Sequence, residues 1–358
     1  MMYGSYSNWQ VLCLSLAKGQ VAFPQSVDEE FLPELSAQCT YIFYDVIETL
    51  NPQELETLLI DIKQKNIPVV FYIKTLYSHN IHPDGRNKVT NVKPLDWWQS
   101  TLSEHLNHLR KFKTGSSHEA IFTSFEPKFR SKLLYRINLH KIRLGKKVRK
   151  KLDELYSKKI TRKSIKSEEL LSACKGKTVA VVGNAQSLSN SDYGDQIDNY
   201  DVVIRFNSAP IPDAKSHGRR TTFIATSFPI SWELFETRGA DGLIWAAPHK
   251  ELQIPSWIYQ NDVPCAILEQ IFLDSITHQL GKPATTGHLI LRLLQKGNQY
   301  KEVGLFGFDF FSSATNSSHI STELAHKHHS YNVEKSWVQS WIREDKHVKY
   351  YPANQANN

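Results

Sequence analysis

The stretch TVAVVGN, residues 178–184, is an apolar run that ends in glycine and asparagine. Similar runs follow at DVVIRFN (201–207), GLIWAAP (242–248) and EVGLFGFDF (302–310), with an apolar helical pattern from Thr286 to about Lys296. Continuous apolar runs of this length are typical of parallel strands that helices cover on both faces. We therefore predict an α/β fold for residues 169–358, with a Rossmann-like, mostly parallel sheet flanked by helices.

An additional α/β region of unassigned role is predicted for residues 1–127. Strands are expected at TYIFYDV (40–46) and IPVVFYIKTL (67–76), on either side of a helix at NPQELETLLIDIKQKN (51–66). Asn51 is the expected N-cap, and Pro52 suits the first helical position. The three elements predict a βαβ unit without a phosphate-binding glycine signature. A second helix is expected from Asp96 through Lys111.

Residues 128–168 form a basic segment between these two regions. Sixteen Lys or Arg lie between Lys128 and Lys166, against the two acids Asp153 and Glu154, in a chain of net charge +7. Apolar residues recur in it at mainly three-, four- and seven-residue spacing, which predicts an amphipathic helix. They are Leu133, Leu134, Ile137, Leu144, Val148, Leu152 and Leu155.

Two interpretations of the basic segment stay open. One is a solvated linker helix that packs on the body of the protein. The other is docking of residues 128–166 on an anionic membrane surface where the acceptor resides. Nucleic acid is disfavoured as a partner, because no aromatic-interleaved basic sheet or recognised nucleic-acid-binding motif accompanies the charge.

The cysteine pattern disfavours structural zinc and a disulfide scaffold, because CxxC spacing and His/Cys ligand clusters are absent. The apolar run Val11–Ala17 is short, contains polar residues and lacks a basic lead-in. We therefore predict a strand there, rather than a signal peptide or membrane anchor. The expected location is the cytoplasm, with peripheral attachment to the inner face of the membrane as the extension of the docking interpretation.

Two asparagines, Asn184 and Asn207, end predicted strands. The carboxyl ends of parallel strands form a ligand-binding edge, where a glycine such as Gly183 lets backbone N–H groups approach a nucleotide. An asparagine amide offers a donor and an acceptor together. Ordinary turn chemistry also explains Gly183-Asn184 taken alone, and a GxGxxG fingerprint is absent. The second asparagine favours a nucleotide site if the two strands are neighbours.

Thr285, Thr286 and Gly287 precede a predicted apolar helix. A helix N-terminus presents unpaired N–H groups, hydroxyls and the positive end of the helix dipole to an anion. A plain N-cap explains this segment equally well when it is taken alone.

Four histidines, His319, His326, His328 and His329, are followed by Glu334. A metal site is disfavoured, because a convincing carboxylate pair facing them is lacking. The other interpretation is a general base: a sugar hydroxyl is a poor nucleophile, and an imidazole, whose ordinary pKa is about 6.5, takes up its proton readily. Glu334 either orients that ring or caps the following helix.

The stretch Val179 to Pro210 resembles the large sialyl motif of the family 29 sialyltransferases. The resemblance implies that Gly183, Asn184 and Asn207 bind the cytidine nucleotide of the donor, with Ser187 as a weaker candidate.

The segment from Pro283 to Gly287, with the helix and strand after it, resembles the small sialyl motif of the same family. For Thr285, Thr286 and Gly287 this implies contacts to the donor's carboxylate or phosphate.

The histidine region resembles the family's remaining motifs. His329 and Glu334 have the H-x4-E spacing of the very short motif, which implies that His329 is the catalytic base. His319 best matches the third-motif histidine that contacts the departing phosphate, although the tyrosines that usually follow it are replaced. His326 and His328 are alternatives for that role.

The resemblance covers about half of the chain, from near Lys175 to Lys346, and implies a GT-A variant of the Rossmann-like fold. It implies an inverting transfer from CMP-sialic acid to a hydroxyl of a glycan or glycolipid acceptor, with no cofactor. Independence from metal agrees with the absence of a DxD pair. Val179 replaces the disulfide-bonded cysteine of secretory members, which agrees with cytoplasmic residence.

Three alternatives to this function stay open. A CMP-Kdo-dependent transferase would use the same nucleotide and a sugar with the same carboxylate beside its anomeric carbon. A non-catalytic nucleotide- or glycan-binding module belongs to a different class. A dinucleotide-dependent oxidoreductase is disfavoured by the missing GxGxxG fingerprint.

Overall fold

A computed structural model describes most of the chain, in two compact units. One unit comprises Met1–Tyr77 and Lys88–Arg149, and the other comprises Ser78–Asn87 and Lys150–Asn358. The residues that the structure describes are 8–24, 35, 37–44, 46–75, 87, 89, 92–114, 116, 118–163, 167–208, 210–310 and 329–352. The division between the units falls inside the predicted basic segment.

The first unit contains a five-stranded mixed sheet. Its strands are β1 (Gln20–Ala22), β2 (Cys39–Tyr44), β3 (Val69–Lys74), β4 (Arg110–Lys113) and β5 (Glu119–Thr123). Its helices are α1 (Asn8–Leu16), α2 (Pro52–Gln64), α3 (Leu95–His105) and most of the long α4 (Phe129–Lys163), with a 3-10 turn at Ile47–Thr49. The strand order is β1-β2-β3-β5-β4: the first three strands are parallel, and β5 runs antiparallel to both of its neighbours.

The elements β2, α2 and β3 confirm the predicted βαβ unit. Asn51 Oδ1 accepts a hydrogen bond from Glu54 N at 2.9 Å, and Glu54 Oε2 accepts one from Asn51 N at 2.7 Å, which forms a capping box. Pro52 is the first helical residue. The apolar stripe of α2 is buried in one cluster with Phe43 and Phe71. Its members are Leu55, Leu58, Leu59 and Ile62.

The strand prediction for Val11–Ala17 is wrong, because this run lies almost entirely in α1. Leu12, Cys13 and Leu16 are buried, and they pack in one cluster with apolar residues of β2, β3 and β5. A short apolar run does not distinguish a buried strand from a buried helix by its pattern. Here the helix places these side chains together against the sheet.

The helix expected from Asp96 through Lys111 is shorter than predicted. It ends at His105, and Arg110–Lys113 forms the edge strand β4. This strand is polar at three of its four positions, and it pairs antiparallel with β5 through its backbone. The side-chain pattern therefore held no strand signal.

The second unit contains a seven-stranded parallel sheet. Its strands are β6 (Thr178–Val182), β7 (Val202–Phe206), β8 (Phe223–Thr226), β9 (Gly242–Trp245), β10 (Cys265–Ile267), β11 (Glu302–Phe306) and β12 (Val348–Tyr351). The strand order is β10-β9-β8-β7-β6-β11-β12, and every pairing is parallel. This arrangement confirms the predicted Rossmann-like sheet.

Helices cover both faces of this sheet. The helices of this unit after α4 are α5 (Ser167–Cys174), α6 (Gly194–Asp198), α7 (Ala214–His217), α8 (Trp232–Thr237), α9 (Trp257–Gln260), α10 (Gln270–Leu280), α11 (Thr286–Gly297) and α12 (Tyr331–Glu344). The 3-10 turns are Gln186–Asn190 and Pro248–Gln253. Along β6, Val179 and Val181 belong to one core cluster, whereas Ala180 and Val182 belong to another. Alternate side chains of the strand are therefore buried on opposite faces.

The sheet reverses its chain order between β6 and β11, which are neighbours although the intervening strands lie on one side. In open parallel sheets, ligands bind outside the carboxyl ends of the strands at such a switch point. The fold therefore places a candidate site beyond Val182 and Phe306.

All four cysteines are free thiols. Burial raises the pKa of Cys174 to about 11 and that of Cys265 to about 12, which keeps these two groups protonated near neutral pH. In the described part of the chain, no helix combines the length and the apolar character needed to cross a membrane.

Removing the capping box should destabilise the first unit. Asn51→Ala leaves the N–H group of Glu54 in the first turn of α2 without its partner, and we expect a loss of about 1 kcal/mol in the free energy of unfolding. The measurement is chemical denaturation followed by circular dichroism. Gln53→Ala, at an exposed position in the same turn, is the matched control. An equal loss in both variants would contradict the capping role.

Candidate functional site

The carboxyl ends of three neighbouring strands each lead into a polar residue. β6 pairs with β7 on one side and with β11 on the other, and these strands lead to Asn184, Asn207 and Asp309 respectively. Asn184 Nδ2 donates a hydrogen bond to the carbonyl oxygen of Phe206, the last residue of β7, at 3.2 Å. The two predicted asparagines therefore lie next to each other, at the carboxyl ends of adjacent strands.

Gly183 allows two backbones to approach closely at this edge. Gly183 N donates to the carbonyl oxygen of Phe306 at 2.7 Å. A Cβ atom added to Gly183 would lie 2.3 Å from the carbonyl oxygen of Gly307, which itself has a φ of 66°. The close packing of the two backbones therefore requires a glycine at position 183. Contact of Gly183 with a nucleotide stays a prediction.

Asn207 has an unusual backbone conformation and an unusual side-chain environment. Its φ is 58°, in the left-handed region where asparagine is among the more tolerated residues. Its buried Oδ1 atom has no hydrogen-bond partner among the residues that the structure describes. Leaving a buried acceptor unsatisfied costs about 1–3 kcal/mol. This oxygen is therefore suited to accept a hydrogen bond from a bound molecule.

Asp309 is a candidate site residue that the sequence reasoning did not assign. Ser187 Oγ donates to Asp309 Oδ2 at 3.1 Å, which joins the turn after β6 to the segment after β11. In Rossmann-like sites an acidic residue beyond a strand binds ribose hydroxyls. The sequence signal that could have identified Asp309 was its position two residues after Gly307, the glycine that follows a buried strand.

The first turn of α11 lies at the same edge. Thr285 is its N-cap and accepts from His288 N at 3.1 Å. Thr286 Oγ1 lies 2.7 Å from Ser227 Oγ, just beyond β8. A Cβ atom on Gly287 would lie 3.3 Å from the ring of Phe308 and 3.9 Å from that of Phe206. The predicted Thr285–Gly287 segment therefore brings the positive end of a helix dipole to the strand ends.

Glu334 is buried and binds the start of α11. Its Oε1 accepts from Thr285 N at 2.8 Å, and its Oε2 accepts from Thr285 Oγ1 at 2.7 Å. Burial raises the pKa of Glu334, and the two hydrogen bonds from Thr285 oppose that rise. The prediction that Glu334 caps the following helix is wrong, because the carboxylate fastens the start of α11, which comes earlier in the chain. Glu334 is therefore a positioning residue.

His329 lies beside the same helix start. Its Nδ1 is 2.8 Å from the carbonyl oxygen of Pro283, two residues before Thr285. A carbonyl oxygen only accepts hydrogen bonds, so Nδ1 carries a hydrogen, and in the neutral imidazole the lone pair is on Nε2. This is the tautomer that a general base at Nε2 requires.

The other predicted histidines, His319, His326 and His328, lie outside the described residues. Their contact with a departing phosphate stays a prediction. Within the part of the chain that the structure describes, no group of three or more His, Cys, Asp or Glu side chains could hold a metal ion.

The family comparison concerns the segment that contains the first strand ends. Residues 116–241 match the model of glycosyltransferase family 29, the sialyltransferases. Over this segment the chain is similar to glycosyltransferase family 29. The matched segment includes Gly183, Asn184, Ser187 and Asn207, and it ends before α11.

Relatives of known activity match shorter stretches. The human type 2 lactosamine α-2,3-sialyltransferase is 48% identical over 48 residues, which are 13% of this chain and 14% of the relative. The mouse β-galactoside α-2,6-sialyltransferase 1 is 34% identical over 90 residues, 23% of this chain and 22% of the relative. This chain thus spans less than a quarter of the length of each relative. The crystal structure of a mammalian sialyltransferase aligns with this chain at 21% sequence identity and a TM-score of 0.36. The alignment covers 49% of this chain and 69% of the sialyltransferase chain.

Adding one methyl group at the strand edge should disrupt it. Gly183→Ala places Cβ against the Gly307 carbonyl oxygen, and we expect about 1–3 kcal/mol of destabilisation from overpacking. Gly145→Ala is the control, because its Cβ would meet no atom within 4 Å. In a helix interior that change should be neutral or stabilising. Thermal unfolding of both variants measures the difference, and an unchanged midpoint for Gly183→Ala would contradict the close approach.

Proposed function

We propose that this chain is a sialyltransferase-like glycosyltransferase, which transfers a sialic or related nonulosonic acid from CMP-sialic acid to a hydroxyl of a glycan or glycolipid. The observation that carries the proposal is the meeting of three polar strand ends with the first turn of α11, beside a histidine whose Nδ1 is held by the Pro283 carbonyl. The match of residues 116–241 to the sialyltransferase family supports it. The four free thiols agree with the proposed cytoplasmic location.

The strand ends are suited to the nucleotide of the donor. In the proposal, Oδ1 of Asn207, which has no partner among the described residues, accepts an N–H or O–H from the cytidine. Asp309 accepts from ribose hydroxyls, with Ser187 beside it, and Asn184 lies at the end of β6 against Phe206. The positive end of the α11 dipole, at Thr286 and Gly287, faces the phosphate or the sugar carboxylate.

His329 acts as the general base in the proposed reaction. The acceptor hydroxyl oxygen forms a bond to the anomeric carbon while Nε2 of His329 takes the hydroxyl proton. The bond from that carbon to the phosphate oxygen breaks, and CMP leaves with the electron pair. Attack on the face opposite CMP inverts the anomeric centre. A positioned base contributes typically about 10²–10⁴-fold to such a rate, and orientation of the two substrates contributes further.

The proposed transfer needs no metal and no cofactor. The sequence lacks the DxD pair that binds a divalent ion on a diphosphate leaving group. A monophosphate carries less charge, which the helix start and the hydroxyl of Thr286 are suited to neutralise. Turnover should therefore persist in EDTA.

Removal of the base should strongly reduce turnover and spare donor binding. For His329→Ala we expect kcat to fall by about 10²–10⁴-fold, with the Kd for CMP unchanged. Both are measurable, by CMP release and by calorimetry. His347→Ala is a closely matched control. His347 Nδ1 likewise lies 3.1 Å from a backbone carbonyl oxygen, that of Lys301. His347 directly precedes β12, so it lies at the amino ends of the strands, away from the candidate site.

Near-normal turnover in His329→Ala would reject this base. If the wild-type chain binds CMP and releases none from any donor and acceptor tested, the non-catalytic binding module becomes the better description.

The donor is decided by a panel on the purified full chain. We expect CMP release with CMP-sialic acid in the presence of glycan acceptors, and binding of CMP but not of NAD. Release with CMP-Kdo alone would transfer the assignment to the Kdo donor, which shares the nucleotide and the carboxylate. Binding of NAD in place of CMP would reject the glycosyltransferase proposal.

A further inference from the structure

The helix α4 carries an exposed apolar stripe. Leu133, Ile137, Leu144 and Val148 follow one another at spacings of four, seven and four residues, so they share one face of the helix. Phe129 and Leu134 adjoin them. The exposed fractions of these six side chains lie between 45% and 78%. Such a continuous exposed apolar surface is typical of an interaction site.

A different face of α4 packs on the first unit. Tyr135 and Leu139 are buried there in one cluster with residues of α1, β2, β3 and β5. The hydroxyl of Tyr135 donates to the carbonyl oxygen of Lys113, and Asn138 Nδ2 donates to Ser15 Oγ at 2.9 Å. The linker-helix interpretation therefore accounts for the buried face and leaves the apolar stripe without a function.

Positive charge flanks the stripe. Residues 128–152 contain eleven Lys or Arg and no acidic residue. Successive residues of a helix are rotated by about 100° around its axis. By this measure the exposed Arg136, Arg143 and Lys147 lie roughly 70–110° around the axis from the centre of the stripe, on one side of it. Lys141 lies about 50° from it on the other. Long basic side chains at such positions can place their methylenes on an apolar layer and their charges in a polar one.

We propose that this face of α4 binds the surface of an anionic phospholipid bilayer. The apolar stripe enters the boundary between headgroups and acyl chains, and the flanking cations contact lipid phosphates. A second copy of the chain is a poor occupant, because a symmetric contact would place one strongly basic face against another. Nucleic acid would contact the cations and leave the apolar stripe exposed. This inference goes beyond the proposed transfer and does not depend on it.

Sedimentation of the full chain with vesicles tests the proposal. We expect binding to mixed phosphatidylglycerol and phosphatidylcholine vesicles, weak binding to phosphatidylcholine alone, and weakening by salt. The double variant Leu133→Ser, Leu144→Ser should lose about tenfold or more in vesicle affinity. The matched control is Ile60→Ser, Ile271→Ser, which removes two exposed isoleucines from other helices and should bind as the wild type does.

A second set of variants tests the charges. Arg136→Gln, Arg143→Gln, Lys147→Gln should reduce affinity for anionic vesicles by about tenfold at low salt. Neutralising the exposed Lys63, Lys175 and Lys250 to Gln removes the same total charge elsewhere and should have a smaller effect. Thermal unfolding shows whether each variant is folded, and a variant that unfolds is replaced by the single substitution Leu144→Ser.

Three results would overturn the proposal. One is absence of binding to anionic vesicles by the folded wild-type chain. Another is undiminished vesicle binding by the folded stripe variant. The third is loss of self-association in the stripe variant, seen by analytical ultracentrifugation without lipid, while vesicle binding is unchanged. That last result would assign the stripe to a second copy of the chain.

Discussion

The close approach of Gly183 and Gly307 is the constraint on which the candidate site depends. These residues are far apart in the chain, and they meet because β6 and β11 pair at the switch point. The backbone after Gly183 then continues into the 3-10 turn of Gln186–Asn190, where Leu188 contacts Gly307. This path brings Ser187 to Asp309. A side chain at Gly183 would separate the two strand ends that carry these groups.

The sequence allowed the regular parts of the fold to be predicted where local chemistry and side-chain period agree. The capping box at Asn51 and the stripe of α2 are signals of this kind, and the structure contains both. Prediction failed where tertiary contacts decide. The run around Leu12 is helical because a helix packs its side chains on the sheet. The polar strand Arg110–Lys113 exists because β5 offers backbone partners.

The candidate site could likewise be predicted from the sequence only in part. Asn184 and Asn207 stand directly after apolar strands, so their position at one edge follows from the sheet, and the family resemblance suggested their ligand. The pairing of Ser187 with Asp309 joins residues 122 positions apart, which no local pattern encodes. The sequence also left two roles open for Glu334. Only the packing of α12 against α11 directs that carboxylate to Thr285.

The attachment of His329 and Glu334 to one short segment has a mechanical consequence. His329 holds the carbonyl of Pro283, and Glu334 holds Thr285, so the two ends of this three-residue segment are tied to the start of α12. A molecule that draws the start of α11 toward itself would shift the imidazole by the same movement. Affinity for a first ligand and alignment of the base for a second would then be reciprocally linked. Binding of either substrate would then favour binding of the other to the same extent.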